Sequence, residues 1–258
     1  MNIGIIGSGR VGCSMGKYLR DNCINLVGYY DTIYENAASA AQFTNTDSFS
    51  SLEELVNLSD TLFITTPDGI IAKVWDCIKE MSIENKIICH FSGSLPSVVF
   101  SDREIYHAEA CSIHPMLAFS NKYSSYDQLN NAFFTIEGDK KAVEVIKAMY
   151  TSFGNTICEI DGSKKGIYHS AASILSNQVI AVIDTGYTLL EQCGFSRAEA
   201  MQATSRLVRG NVENVINTGV VDALTGPIER NDIETVKKHL SCIDEEDIEL
   251  YKVLGRKL

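Results

Sequence analysis

The stretch IGIIGSGRVG, residues 3–12, constrains this chain more than any other. Ile3, Ile5 and Ile6 read as a strand, and a helix is expected from about Val11. Between them Gly7, Gly9 and Gly12 stand at G-x-G-x-x-G spacing. The first glycine permits a tight turn, the second lets the backbone approach a pyrophosphate, and the third allows close helix packing. The helix then presents its unpaired N–H groups to phosphate. Gly7, Ser8, Gly9, Arg10, Val11 and Gly12 are therefore candidate cofactor contacts. A second strand, INLVGYY, ends at Asp31, close to the spacing of about 20 residues expected for an acid on the adenosine ribose. A carboxylate there repels a 2′-phosphate and favours NAD, whereas Arg10 could meet that phosphate in NADP. The cofactor reads as NAD(P), with the choice open.

Beyond this unit, strand-like and helix-like segments alternate. SLEEL opens on Ser51 with Glu54 three residues on, the pattern of a reciprocal cap. TLFIT reads as a strand, GIIAKVWDCIKEM as a helix and KIICHF as a strand. AFFTIE and TICEI are further strands, flanking a helix that follows Asp139 and ends at Gly154. In that helix Val143, Ile146, Tyr150 and Phe153 recur at helical spacing. Such alternation predicts an α/β fold: a doubly wound, mostly parallel sheet with helices on both faces. After Asp161 strand signals stop, and helices are expected at 167–193, behind Ser196 with Glu199, after Asp232 and after Asp244. The chain is expected to divide into a nucleotide-binding domain, 1–162, and an all-α domain, 163–258.

In a doubly wound sheet, ligands lie at the carboxyl ends of the strands. Thr66 and Pro67 of TTPDG and Ser92 of HFSGSLPS are therefore assigned to the cofactor, and Ser94 to the substrate. SIHPM is expected to carry Ser112 and His114 just after another strand-like segment, with His114 facing substrate or orienting His169.

The net charge of −11 argues against nucleic acid or an anionic membrane as partner. It leaves room for a small anionic substrate. Eight cysteines stand singly, without a C-x-x-C pair, which suits reduced thiols and a cytoplasmic location. No signal peptide or membrane span is expected. Cys89, His90, His107, Cys111 and His114 match no common zinc spacing, so no metal is assigned.

IYHSAASILSN, residues 167–177, reads as a helix meant for burial, yet it carries His169, Ser173, Ser176 and Asn177. At about 100° per residue these four fall within about a quarter turn. Buried polar groups are costly unless paired. His169 can donate a proton near neutral pH, while Ser173 and Asn177 can hold a carbonyl and a carboxylate. In ALTGPIERND, Gly226-Pro227 interrupts the helix, Thr225 is exposed by the break, and Arg230 can clamp a carboxylate bidentately. His239 reads as a surface residue.

Taken together, GSGRVG, HFSGS, SIHPM, YHSAASILSN and ALTGPIERND resemble, over essentially the whole chain, a family of Rossmann-like oxidoreductases with a helical C-terminal domain. That family is related to pyrroline-5-carboxylate reductase, prephenate dehydrogenase and 6-phosphogluconate dehydrogenase. Within it the sequence looks like the alternative ketopantoate reductases. The resemblance implies an NADP-using, cytoplasmic reductase of a small 2-oxo acid, ketopantoate above all, with His169, Ser173 and Asn177 in catalysis. The better-known ketopantoate reductases carry a lysine and an asparagine four apart on the first helix of the second domain. Here Ser173 stands four before Asn177, and the nearby bases are His169, Lys164 and Lys165, so His169, Lys165 and His114 are all candidate proton donors. The apolar first helix of the second domain needs cover on more than one side, which predicts a homodimer through the C-terminal helices. Reduction of a cyclic imine, oxidation of a 3-hydroxy acid, and a non-catalytic NAD(P) sensor are the rival readings.

Overall fold

The computed structural model describes residues 1–258. The chain divides into two compact units, Met1–Ser173 and Ile174–Leu258. The first unit reaches beyond residue 162 because the helix that starts at Lys165 sinks that side chain into the sheet unit, where it is buried.

Eight strands form one sheet in the first unit: β1 (Asn2–Ile6), β2 (Asn25–Tyr30), β3 (Asp47–Phe49), β4 (Thr61–Ile64), β5 (Ile87–His90), β6 (Glu109–Pro115), β7 (Phe133–Gly138) and β8 (Thr156–Glu159). Their order is β3-β2-β1-β4-β5-β6-β7-β8. All neighbours pair in parallel except β6 and β7. The order reverses between β1 and β4, which opens a crevice at their carboxyl ends.

Helices α1 (Arg10–Asp21), α2 (Tyr34–Thr44), α3 (Leu52–Leu58), α4 (Asp68–Ile78) and α5 (Lys140–Ser152) cover the sheet. Strand residues alternate between its faces, and each face has its own core. Ile3, Ile5, Cys89 and Ile113 pack with Met15, Leu19 and Ile146 on one side. Ile6, Leu62, Ile64 and Ile88 pack with Leu55, Ile71 and Trp75 on the other. β4 and β5 are buried along their whole length, as central parallel strands are. The expected cap at Ser51 is half formed: its hydroxyl accepts from Glu54 N at 3.3 Å, and no return bond from the Glu54 side chain is made.

Helix α6 (Lys165–Ser173) closes the first unit, and the second opens with a π turn, Ile174–Gln178. The expected helix 167–193 thus begins two residues early and is interrupted. A π turn adds a residue to the winding, so the even α-helical spacing behind the His169–Asn177 stripe does not persist through it. The second unit continues with α7 (Val179–Gln192), α8 (Arg197–Thr218), α9 (Val220–Ala223), α10 (Ile233–Cys242) and α11 (Glu245–Gly255). Ser196 and Glu199 form a complete reciprocal cap at the start of α8. The apolar residues of this unit are not buried as the sequence suggested. Leu175 is 73% exposed, Ile216 75% and Val221 86%. No helix of the chain is long and apolar enough to cross a membrane.

Candidate active site

The glycine loop after β1 has the geometry its spacing implied. Gly7 has φ +101°, a conformation that favours glycine, and its N–H donates to Tyr30 O at 2.8 Å. A Cβ on Gly12 would collide with the Gly7 carbonyl and with Thr65 Oγ1, so the close packing of α1 on the loop requires glycine there. A Cβ on Gly9 would meet nothing within 4 Å. Gly9 therefore borders open space, as it must if a pyrophosphate is to lie against it.

That space is a cavity of about 500 Å³ lined by Gly7, Ser8, Gly9, Asp31, Thr66 and Pro67, among others. The first turn of α1 has no side-chain cap. The hydroxyls of Ser8 and Thr66 are buried without a partner. An uncapped helix start flanked by two orphan hydroxyls suits the phosphates of NAD(P), so the residues present fit that cofactor. Asp31 accepts from Ser8 N at 2.8 Å and from Ile33 N at 3.0 Å. Two backbone donors thus hold its carboxylate at the edge of the cavity. Arg10 is exposed and, like Val11, does not line the cavity. The cation that does is Lys73, which the sequence reading missed. The spacing of Ile70, Lys73, Val74 and Cys77 on α4 would have put all four on one helical face above this loop.

A second cluster gathers at the carboxyl ends of β5 and β6. Ser112 and His114 lie within β6, not after a strand as expected. Strand register sets His90, Ser112 and Glu137 in one row across β5, β6 and β7. Alternation puts Cys89 and Cys111 on the opposite face from His90 and His114, where their sulfurs lie 3.1 Å apart in the core.

Lys165 enters this polar row from α6. Its ammonium, 1% exposed, donates to Ser92 O at 2.7 Å and to Ser112 Oγ. Burial pushes its pKa down to about 8, against the upward pull of the Glu137 and Asp68 carboxylates. Burial, then the Lys165 charge, pushes His90 and His114 down to about 4. At neutral pH the site holds one ammonium and two neutral imidazoles. A lysine in the first turn of a helix opposes the helix dipole.

The hydroxyls of Ser92 and Ser94, assigned to cofactor and substrate, both donate to Asp68 Oδ2, at 2.8 and 2.7 Å. Ser92 Oγ also accepts from Ser94 N and Leu95 N at 3.1 and 3.0 Å, so it shapes the loop. Gly93, between them, lies under two imidazoles. The position of a Cβ there is 2.5 Å from His169 Nδ1 and 2.9 Å from His114 Nε2. His169 is exposed, and Ser173, half-buried, ends α6. Asn177 belongs to the π turn of the second unit and accepts from Ser176 Oγ at 2.9 Å. Thr225 and Arg230 stand in the exposed turn between α9 and α10 of the same unit.

Residues 1–88 match the profile of an oxidoreductase family with an NAD-binding Rossmann fold. Residues 132–258 match a domain of unknown function, DUF2520. A comparison with curated proteins finds no match. Among solved structures, a Bacteroides fragilis protein provisionally named an NADP oxidoreductase is 23% identical, with 99% of this chain and 96% of that one covered and a TM-score of 0.79. Protein TM1727 of Thermotoga maritima is 21% identical, with 99% and 96% covered and a TM-score of 0.76. The pyrroline carboxylate reductase of Plasmodium falciparum, solved with NADP bound, is 16% identical, with 99% and 95% covered and a TM-score of 0.64. These likenesses show the fold. The family match over residues 1–88 and the cavity that fits the cofactor support an NAD(P)-dependent oxidoreductase.

Proposed function

We propose that the protein reduces the keto group of a small 2-oxo acid, with Lys165 as the proton donor. The observation that carries this reading is the buried Lys165 ammonium, hydrogen-bonded at the carboxyl ends of β5 and β6. NADH or NADPH, when bound, supplies a hydride. The carbonyl carbon takes that hydride, its oxygen becomes an alkoxide, and Lys165 gives the alkoxide its proton. A donor with a pKa of about 8 is still charged at neutral pH yet gives up its proton more readily than an ordinary lysine. The amine regains its proton from solvent after turnover.

The same charge bears on substrate class. An ammonium attracts a substrate carboxylate and stabilises developing negative charge on oxygen. It repels an iminium cation. This supports a keto acid over a cyclic imine, the reading favoured by the likeness to the Plasmodium falciparum pyrroline carboxylate reductase. Ketopantoate, reduced to pantoate, is the substrate we favour on the sequence resemblance. His169, the donor first expected, is exposed, and its exposure supports a substrate contact instead. Ser173, Asn177, Thr225 and Arg230 are assigned to substrate on sequence grounds. We further assign a homodimer through the C-terminal helices, supported by their exposed apolar residues.

A spectrophotometric screen of NADH and NADPH oxidation against 2-oxo acids and cyclic imines tests the reading. Turnover on an oxo acid is expected, with kcat/KM falling as pH rises through about 8 and Lys165 loses its proton. Turnover confined to imines would overturn it.

A further inference from the structure

We propose that Tyr168 is a positioning residue that fixes His114 as its Nε2–H tautomer, so that a neutral imidazole donates a hydrogen bond to the substrate oxygen that becomes the alkoxide. The role for His114 rests on the keto-acid reading above; the tautomer itself does not.

The geometry starts from one turn of α6. Lys165, Tyr168 and His169 stand at spacings that bring all three onto the face turned to the sheet unit. Tyr168 OH lies 2.6 Å from His114 Nδ1, and the two rings meet edge to face with centroids 5.6 Å apart. His114 Nε2 makes no hydrogen bond to protein. It points instead over Gly93, where the absence of a side chain lets the ring approach the loop. The ring of His169 completes the pair from the other side, with centroids 6.1 Å apart.

A neutral imidazole carries one proton, and the partner of one nitrogen decides where it sits. His114 is neutral at working pH, because burial, the Lys165 ammonium and His169 all disfavour its charged form. Asp68 is the one carboxylate that favours it. Burial raises the Tyr168 phenol above its ordinary value, so its proton is in place. If Nδ1 held the imidazole proton, the phenol would have to accept it and send its own proton elsewhere. Thr135, opposite His114 in β7, hydrogen-bonds the phenol in the sense that leaves the phenol oxygen the acceptor. With Thr135 donating to the phenol oxygen, the phenol's own proton is left for Nδ1. Nε2 then bears the hydrogen and presents it over Gly93. A neutral donor of this kind strengthens its bond as charge grows on the substrate oxygen, without adding a second cation beside Lys165.

Nitrogen-15 spectra of the full-length, cofactor-free chain, labelled at histidine, read the tautomer directly. His114→Gln identifies the signals. The expected spectrum shows a protonated Nε2 and a bare Nδ1 from pH 6 to 8, and Tyr168→Phe should shift His114 toward a mixture of tautomers. A wild-type spectrum with the proton on Nδ1, or one unchanged by Tyr168→Phe, would overturn the proposal. On the best substrate from the screen, Tyr168→Phe should lower kcat at least ~10-fold and move KM less than about twofold, because the bond strengthens only in the transition state. A purely structural role would lower the melting temperature and leave the tautomer alone. If no oxo acid turns over, the keto-acid reading fails, and the spectrum still decides the tautomer.

Discussion

The two units of the chain solve the same problem of burial in opposite ways. The sheet unit covers both faces of its sheet and encloses Trp75, Tyr29 and Phe63 almost completely. In the helical unit Ala200 is the one buried apolar residue, while Leu175, Ile180, Leu207 and Ile216 are each more than half exposed. A sheet between helix layers can complete its own core. A few helices carrying apolar residues on several sides cannot. The contrast predicts that the helical unit needs covering surface from outside it.

The sheet unit also holds a buried charge, Lys165, and this leads to the largest expected effect. Lys165→Met should lower turnover by about 10²–10⁴-fold, the usual contribution of general acid catalysis, while NAD(P)H affinity is kept. It should also stabilise the protein. A lysine whose pKa falls from 10.5 to about 8 on folding pays roughly 3 kcal/mol for its charge at neutral pH. The sign follows from proton binding. Between pH 8 and 10.5 the unfolded chain holds the proton more tightly, so wild-type stability rises across that window and the variant's advantage fades. Melting curves at pH 7 should show the variant a few degrees higher, less a contribution from its lost hydrogen bonds. A destabilised variant that retains turnover would make Lys165 structural.

The second effect separates the units directly. Ile216→Asp on α8 and Ile105→Asp in the sheet unit replace residues that are 75% and 72% exposed. If the helical surface is covered by a second copy, Ile216→Asp should raise the dimer dissociation constant by roughly 100-fold, because a symmetric interface buries the change twice. Ile105→Asp should change neither assembly nor stability by more than about 0.5 kcal/mol. Light scattering over a dilution series measures both. A wild-type monomer, or equal effects from the two variants, would end the contrast.

The glycine loop gives a smaller and sharper test inside the sheet unit. Gly9→Val points its new side chain into open space, so the fold should survive while NAD(P)H affinity drops by roughly 10- to 100-fold. Gly12→Val meets the Gly7 carbonyl and should lower thermal stability first. Calorimetry on both variants distinguishes a residue that makes room for ligand from one that makes room for a helix. Equal losses of stability would erase that distinction.

This contrast also explains what could be read from sequence. Most strands of the sheet unit announced themselves locally, through short apolar runs ended by turn residues, and the loop glycines carried their own geometry. β3, three residues long, and the antiparallel turn of β7 left no such mark. At the site, His114 and Ser92 were visible as residues but not in their settings. Nothing local showed that Ser92 would be tied to Asp68, 24 residues earlier, or that Lys165 would reach Ser112, 53 residues earlier. The even spacing of the His169–Asn177 stripe was misread for a different reason. Its spacing assumed an unbroken α-helix, and a π turn starts at Ile174. In the helical unit apolar periodicity was read as burial, although a pattern of hydrophobic residues cannot say whether the covering surface belongs to the same chain.

The smallest expected effect concerns the choice of cofactor, where Asp31 and the resemblance to NADP enzymes disagree. Asp31 is held by two backbone N–H groups, so it cannot easily swing away from the edge of the cavity. A 2′-phosphate would have to lie against that fixed carboxylate, and the cation lining the cavity, Lys73, sits on another element. A fixed carboxylate in this place predicts a preference for NADH. Asp31→Ser removes the repulsion and keeps a hydroxyl that can accept from the loop. The ratio of NADH to NADPH affinity should fall about tenfold, equivalent to about 1.4 kcal/mol. Lys73→Ala, by contrast, should weaken NADPH more than NADH if the lysine reaches the phosphate. Fluorescence titration of both cofactors against both variants measures these ratios without any substrate. An unchanged ratio in Asp31→Ser would mean that the carboxylate serves the loop backbone alone, and selection would then lie with Lys73.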